Sequence, residues 1–166
     1  MSILIVWYSR TGRTTKAAEA IRDALLSAGV SDVALEQLVD TKNRDGALGW
    51  MSGGRDATLK RAVPIEPVES DVTSYDLVVI GTPVWAFTMA PAVRSFCAQH
   101  GSAAQRVAFV ATMGGSGDAG AYRDMQTLCG SAPVATLTLI AKAIDRGDHE
   151  EFITKVAAFA SDLLAE

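Results

Sequence analysis

Residues Ile3-Leu4-Ile5-Val6-Trp7-Tyr8 run without a charge into Ser9-Arg10-Thr11-Gly12-Arg13-Thr14-Thr15, and a helical pattern from Lys16 to Leu26 follows at once. A β-branched and aromatic run that is apolar on both faces predicts a central parallel strand covered from two sides. Ala17, Ile21, Leu25 and Ala28 make one apolar stripe on the helix, and Gly29 stands where its C-terminal cap belongs. A strand that feeds a hydroxyl-rich turn and then a helix start is an anion seat. The first N–H groups of a helix lack intrahelical partners, and the helix dipole places partial positive charge there. Ser9, Thr11, Thr14 and Thr15 can donate to phosphate oxygens, and Gly12 can take positive φ. An ordinary strand-to-helix loop with Thr14 or a neighbour as N-cap would need one hydroxyl rather than four.

The alternation continues along the chain. Val33 to Leu38 reads as a strand near a sheet edge, Tyr75 to Gly81 as a buried third strand, Arg106 to Thr112 as a fourth and Val134 to Ile140 as a fifth. Helices are expected over 91–99, opening with Pro91, and over 119–128. A last helix presents Phe152, Val156, Phe159 and Leu163 on one face, with Asp148 and Glu151 at capping-box spacing at its start. From Thr41 to Pro67 the pattern degrades, because Gly46, Gly49, Gly53 and Gly54 punctuate it and leave a short helical candidate from Arg55 to Arg61. Five strands alternating with helices imply an α/β fold, a doubly wound five-stranded parallel sheet, with residues 1–166 as one domain. In such sheets ligands bind beyond the carboxyl ends of the strands. The loops after the first, third and fourth strands are therefore the candidate site.

The second of these loops, Gly81-Thr82-Pro83-Val84-Trp85-Ala86-Phe87-Thr88-Met89, places Trp85 and Phe87 where solvent should reach. Two exposed aromatics beside a phosphate seat suit a planar heteroaromatic ring, although a loop Trp taken alone is more often a lid over the core. The third, Thr112-Met113-Gly114-Gly115-Ser116-Gly117-Asp118-Ala119-Gly120, lets main-chain N–H groups approach a ligand edge. Gly115 to Gly120 also satisfies G-x-G-x-x-G. That fingerprint belongs in the first strand–helix unit, and only Asp145 is available as the downstream acid, so ring-edge contact is the better reading.

Composition removes several function classes. The net charge is −4 over 166 residues, 49% of them apolar and 20% charged, which describes a globular protein without the basic patch that nucleic-acid binding requires. A mildly acidic surface suits a basic redox partner. The uncharged stretch from Leu77 to Val93 is broken by Gly81, Pro83 and Pro91, and Arg10 interrupts the amino-terminal run too early for a signal peptide. A cytoplasmic chain without membrane insertion is expected. Cys97 and Cys129 have no redox-dithiol or zinc spacing and read as buried free thiols, and neither is followed by the C-x5-R of a phosphatase, since Ala103 and Ala135 stand there. Tyr8, Ser9 and Arg10 replace the acidic residues a receiver domain needs. His100 and His149 sit near helix ends, Trp7 packs within the sheet, Tyr122 is core or borders the ligand, and Arg94 and Arg123 read as helix-surface residues. No metal site and no catalytic side chain is indicated.

Three ordered motifs together resemble the flavodoxin family of FMN-binding proteins: Tyr8 to Thr14 is similar to its phosphate loop, Tyr75 to Ala86 to its third strand and second loop, and Thr112 to Gly115 to its third loop. The stretch from Gly46 to Ala57 is similar to a segment of flavodoxin-like members and is expected to pack against the sheet near the site. The resemblance implies a flavodoxin-like sheet of order 2-1-3-4-5 and FMN as cofactor. Ser9, Thr11, Gly12, Arg13, Thr14 and Thr15 would hold its phosphate, with Arg10 inside the same loop. Pro83, Val84, Trp85 and Ala86 would flank the isoalloxazine, with Thr82 and Phe87 at either end of that stretch. Thr112, Met113, Gly114, Gly115, Ser116 and Gly117 would line its other edge.

Two residues depart from the family pattern. Arg13 stands where such loops commonly carry Asn, and its guanidinium either strengthens anion binding or points to water. Phe87 stands where the subgroup commonly carries Gly, and it lacks the freedom for a redox-linked peptide flip. The implied function is electron transfer between redox partner proteins through bound FMN. The rivals are an FMN-dependent NAD(P)H:quinone or flavin reductase, for which the Trp50 segment would build a substrate pocket, and a flavodoxin-fold scaffold without cofactor.

Overall fold

Alternation along the strands decides which helices cover which face of the sheet. The computed structural model describes residues 1–41, 46–146 and 149–165; Asp148, expected to open the last capping box, and the side chains of Trp50 and His149 lie outside what is described. In chain order the elements are β1 (Ser2–Trp7), α1 (Arg13–Ser27), β2 (Asp32–Gln37), α2 (Gly46–Thr58), β3 (Leu77–Trp85), β4 (Thr88–Met89), α3 (Pro91–His100), β5 (Val107–Met113), α4 (Asp118–Cys129), β6 (Thr136–Ile140), α5 (Ala141–Arg146) and α6 (His149–Leu164). The parallel strands lie in the order β2-β1-β3-β5-β6, and β4 pairs antiparallel with the end of β3. With the two-residue β4 set aside, this is the expected order of five parallel strands.

Ile3, Ile5 and Trp7 of β1 and Leu77 and Val79 of β3 face one way, where Ala17, Ile21 and Leu25 of α1 and Val156, Phe159 and Leu163 of α6 pack on them. Leu4, Val6, Val78, Ile80 and Phe109 face the other way, under Val93 and Phe96 of α3 and Ala121 and Met125 of α4. Each of these large side chains is worth roughly 1.5–3 kcal/mol of burial, so neither helix layer can be peeled away cheaply. Gly29 ends α1 at φ 91, as its position implied.

Four expectations need correction. The loop expected after Gly81 is strand as far as Trp85, because β5 pairs alongside it to Pro83 and β4 pairs with Val84 and Trp85. Pro83 fits there because β1 has already ended opposite Gly81, so no ladder donor is missing on that side. The glycine-rich stretch after Thr41 is helical over Gly46–Thr58, earlier than the 55–61 expected. Buried Gly49, Gly53 and Ala57 form its inner face, and Gly53 lies so close to Trp85 that a Cβ there would sit 2.8 Å from the ring. Tertiary contact overrides the poor helix propensity of glycine. Helix α5 was not expected at all.

Arg94, expected on the surface, is buried. Its Nη2 donates to Asp124 Oδ2 at 3.0 Å and to Thr88 Oγ1 at 2.9 Å, while Thr88 Oγ1 donates to the same Oδ2 at 2.7 Å and Lys60 Nζ reaches Oδ1 at 3.0 Å. A buried guanidinium persists because a buried carboxylate on the next helix faces it. Arg123 is exposed, as expected. Tyr122 is partly buried against the core: its hydroxyl donates to Leu137 O at 2.7 Å, its ring stacks on Phe109, and burial pushes its phenol up to about 12. Cys97 and Cys129 are buried and free. The hydrogen bond between them, together with burial, pushes the Cys97 thiol well up, which keeps it protonated and unreactive.

The G-x-G-x-x-G stretch also finds its role here. A Cβ on Gly120 would meet the Phe87 carbonyl oxygen at 2.1 Å, and one on Gly117 would meet Val84 and Phe87 at 2.8 and 2.9 Å. These glycines let the β3–β4 hairpin lie directly on α4. Gly120→Ala should therefore lower stability by roughly 1–3 kcal/mol, because the overpacking exceeds the ~1 kcal/mol that alanine gains as a helix former. Urea denaturation reads this as a fall in the midpoint, and an unchanged or raised midpoint would contradict the close approach.

A second prediction concerns acid. Burial raises the Asp124 carboxyl, but hydrogen bonds from Thr88, Arg94 and Lys60 and the Lys60 charge outweigh it and bring it from 3.8 down to about 2. A depressed carboxylate contributes stability that is present above its unfolded pKa and lost as pH falls through the folded value. Between pH ~4 and ~2 the wild type should lose about 2 kcal/mol that Asp124→Asn does not lose. Parallel acid-unfolding curves for the two proteins would refute this.

Candidate functional site

Beyond the carboxyl ends of β1, β3 and β5 a cleft of about 150 Å³ is lined by Ser9, Arg10, Thr11, Arg13, Thr14, Pro83, Val84, Trp85, Thr112, Met113 and Ala141. All three expected loops thus meet in one place. Two of the larger surface clefts are weaker candidates for an anion. One is lined by Glu36, Glu66 and Glu69 beside the edge strand, and the other is an open surface beside α4 with Arg123 as its only cation.

The first loop is built to leave donors free. Gly12 takes φ 85 and begins α1 as its N-cap, so no side chain caps the helix and Thr14 is not the cap. The helix thereby starts at Arg13, three residues before Lys16, and points its first-turn N–H groups at the cleft mouth. Ser9 Oγ accepts from Gly12 N at 3.1 Å, and Thr15 Oγ1 accepts from the Trp7 indole Nε1 at 3.0 Å. A hydroxyl that accepts from the protein still has its own proton to donate. Thr14 Oγ1 and Thr112 Oγ1 lie 2.8 Å apart in the buried floor, one donating to the other, which ties the first loop to the third.

Arg13 does not point to water. Its Nε donates to Asp145 at 2.9 and 3.0 Å, with Nη2 on the same carboxylate, and both side chains are about two-fifths exposed. The hydrogen bond to Arg13 holds the Asp145 carboxyl below its usual range and the guanidinium above its own. The mouth of the cleft therefore carries a neutral ion pair plus the Arg10 charge, and backbone and hydroxyl donors supply the rest of its attraction for an anion.

Trp85 forms the aromatic wall. It is half-buried, edge-on to Tyr8 at a centroid distance of 5.6 Å and backed by Gly53 of α2. The Gly46–Thr58 segment thus packs beside the site, as its sequence suggested. Ala86 and Phe87 form the two-residue turn between β3 and β4 with φ 48 and 63, and the Phe87 side chain is 71% exposed. Gly114, Gly115 and Ser116 are exposed at the rim.

Thr82 is the one expected contact that the structure turns away. It is fully buried, its hydroxyl donating to Pro83 O at 2.9 Å and accepting from Ala90 N at 3.0 Å, because the chain is still strand there and the residue falls on the inward side. Gly12, Thr15, Ala86, Phe87 and Gly114 to Gly117 stand around the cleft rather than in its wall. Sequence reasoning missed Ala141, the first residue of α5, and Asp145 as the partner of Arg13; the arginine at position 13 was the one signal that a carboxylate had to be near. Among the described residues no cluster of His, Cys, Asp and Glu could hold a metal ion, and no helix is long and apolar enough to cross a membrane.

Comparison with solved structures finds the same architecture repeatedly. A flavoprotein from Lactobacillus acidophilus NCFM, solved in complex with FMN, is 20% identical with a TM-score of 0.69 over 91% of this chain and 97% of that one. Flavodoxin 2 from Bacillus cereus, in its oxidised form, is 15% identical with a TM-score of 0.63. A flavodoxin from Streptococcus pneumonia TIGR4 is 17% identical with a TM-score of 0.62, and each of these two alignments covers 99% of both chains. At these identities the likeness is one of fold. Comparison with curated protein sequences found no match. The family model described as Flavodoxin matches residues 2–156, nearly the whole chain, and the protein belongs to the flavodoxin family.

Proposed function

We propose that the chain binds FMN at the carboxyl rim of its sheet and carries electrons between redox partner proteins through the bound flavin. The observation that carries this reading is the meeting, in one cleft, of an uncapped helix N-terminus, hydroxyls with protons to give and an aromatic wall. Family membership supports it, as does the FMN held by the Lactobacillus flavoprotein.

The residues fit such a group. The phosphate would lie against Ser9, Thr11 and the first turn of α1, with Arg10 and Arg13 at its side, and the ring would lie along Trp85 toward the rim of Gly114 to Gly117. The cleft is smaller than the roughly 300 Å³ of a typical ligand pocket, so the ring would extend over that open rim, where electrons can leave or arrive. FMN would supply the electron chemistry. The chain's part is to grip the phosphate, to hold Trp85 rigid between Tyr8 and Gly53, and to keep water from one ring face. Among the described residues the cations lining the cleft, Arg10 and Arg13, both belong to the phosphate loop, so negative charge on the ring would meet no counterion from these side chains and the second reduction potential would be low. A place in the cytoplasm is part of the same proposal.

Calorimetric titration with FMN, together with the absorption spectrum of the purified protein, tests the cofactor. Stoichiometric binding with flavin bands is expected, and a colourless protein that leaves FMN unbound would sink the reading in favour of a bare scaffold. Steady-state turnover of NADPH with a quinone should be negligible; sustained turnover would make the protein a reductase.

The ion pair at the mouth gives a sharper test. Asp145→Asn frees the Arg13 guanidinium and removes a negative charge from beside the phosphate. FMN affinity should rise by about three- to fivefold and riboflavin affinity should not change, with the gain shrinking in high salt. An equal effect on both ligands would place Arg13 away from the phosphate.

A further inference from the structure

The turn at Ala86 and Phe87 is an unusual choice of residues for its geometry. Strands β3 and β4 are joined by these two residues alone, with Trp85 opposite Thr88 and Val84 opposite Met89. A two-residue hairpin of this kind needs positive φ at both positions, which is why Asn-Gly is the ordinary solution. Here two L residues with side chains adopt φ 48 and 63, in the sparsely populated left-handed region. A ladder of two residue pairs is too short to impose that by itself.

What holds the turn lies next to it. Thr88, the first residue after the turn, is buried, and its hydroxyl is gripped from two sides: it donates to Asp124 Oδ2 at 2.7 Å and accepts from Arg94 Nη2 at 2.9 Å. Arg94 in turn pairs with Asp124 at 3.0 Å, and Lys60, just beyond α2, closes the other carboxylate oxygen at 3.0 Å. One carboxylate thus joins α2's exit, β4, α3 and α4 directly beneath the turn.

We propose that Thr88 and Asp124, with Arg94, are positioning residues: a buried clamp that holds the Ala86–Phe87 turn in its left-handed form at the rim of the site, so that its backbone presents a fixed edge to the ring of the bound flavin. The second half of this statement rests on the FMN reading above; the first half does not. The strain is local and the restraint is local, so releasing the restraint frees the turn without unfolding the sheet. Phe87 therefore does not forbid motion by bulk alone, since it already occupies the conformation that glycine would favour. The clamp is what keeps it there.

Amide hydrogen exchange on the cofactor-free protein is the first arm of the test. Thr88→Val, which keeps the shape and loses the hydroxyl, should speed exchange of the 86–89 amides by about tenfold or more while the amides of β1 and β5 stay at their wild-type rates, and Thr88→Ser should restore protection. Asp124→Asn, which keeps an acceptor but loses the charge facing Arg94, should give the same local pattern more weakly. In a Phe87→Gly background the effect of Thr88→Val should shrink, because the turn then needs less restraint. The second arm is titration: Thr88→Val should weaken FMN and riboflavin by the same factor, about tenfold, since the ring and not the phosphate loses its support.

Wild-type exchange at 86–89 in Thr88→Val, a loss of protection spread evenly over the sheet, or an undiminished effect in the Phe87→Gly background would each overturn the clamp. Unequal weakening of the two ligands would overturn its role toward the ring. Failure of the wild type to take up FMN would refute the functional reading while the exchange measurements still decide the clamp.

Discussion

β1 pairs with β3 only as far as Trp7 opposite Gly81, whereas β3 runs on to Trp85 with β5 at its other side. That mismatch in length opens the space in which the site lies. Where β1 stops, the chain turns through Ser9 to Gly12 and starts α1 in the gap, so the helix N-terminus faces the projecting end of β3. The projecting residues need cover of their own. β4 folds back on Val84 and Trp85, α2 lays its glycine face on the Trp85 ring, and the Thr14–Thr112 hydroxyl contact closes the floor. Every wall of the cleft is therefore secured by a partner distant in sequence, which keeps its donors aimed at a common point.

How much of this could be read from residues alone depended on how local the cause was. The β1 run and the stripe of Ala17, Ile21 and Leu25 report burial on neighbouring residues, and both were legible. So was the first loop, because a hydroxyl-rich turn between a strand and a helix is a property of a dozen consecutive residues, although the helix begins at Arg13 rather than Lys16 and without a side-chain cap. The helix over Gly46–Thr58 was not legible, since its four glycines argue locally against it and the reason for it is the ring of Trp85, far along the chain. Arg94 was misread for the same cause. On a short helix a lone arginine looks solvated, and only folding brings Asp124 and Thr88 to it.

Thr82 was misplaced, and the Gly117–Gly120 pair was read incompletely, in a more instructive way. Each lies in a stretch expected at the rim, yet the period of the strand turns Thr82 inward, and the glycines also serve the contact between hairpin and helix. A pattern of glycines specifies close approach without saying of what. In dinucleotide-binding loops it is a pyrophosphate that comes near; here it is the backbone of Phe87. The same letters carry the same steric fact and a different partner.

The electrostatics of the cleft follow from where charge is neutralised. Two guanidiniums near the site, Arg13 and Arg94, are each matched by a carboxylate, Asp145 at the mouth and Asp124 beneath the turn. Only the second pair is buried, and a buried pair of this kind contributes more to specifying one arrangement than to net stability, because desolvation offsets much of its attraction. The first pair, partly open to water, adds no net charge to the anion seat beyond that of Arg10. An anion there, beside Arg10 and Arg13, would be held mainly by oriented dipoles, the N–H groups of α1 and the hydroxyls of Ser9 and Thr11. Such groups need no counterion rearrangement and act only at hydrogen-bonding distance. Selectivity for a phosphate then comes from shape and donor placement, so a dilute anion of the wrong geometry gains little from entering.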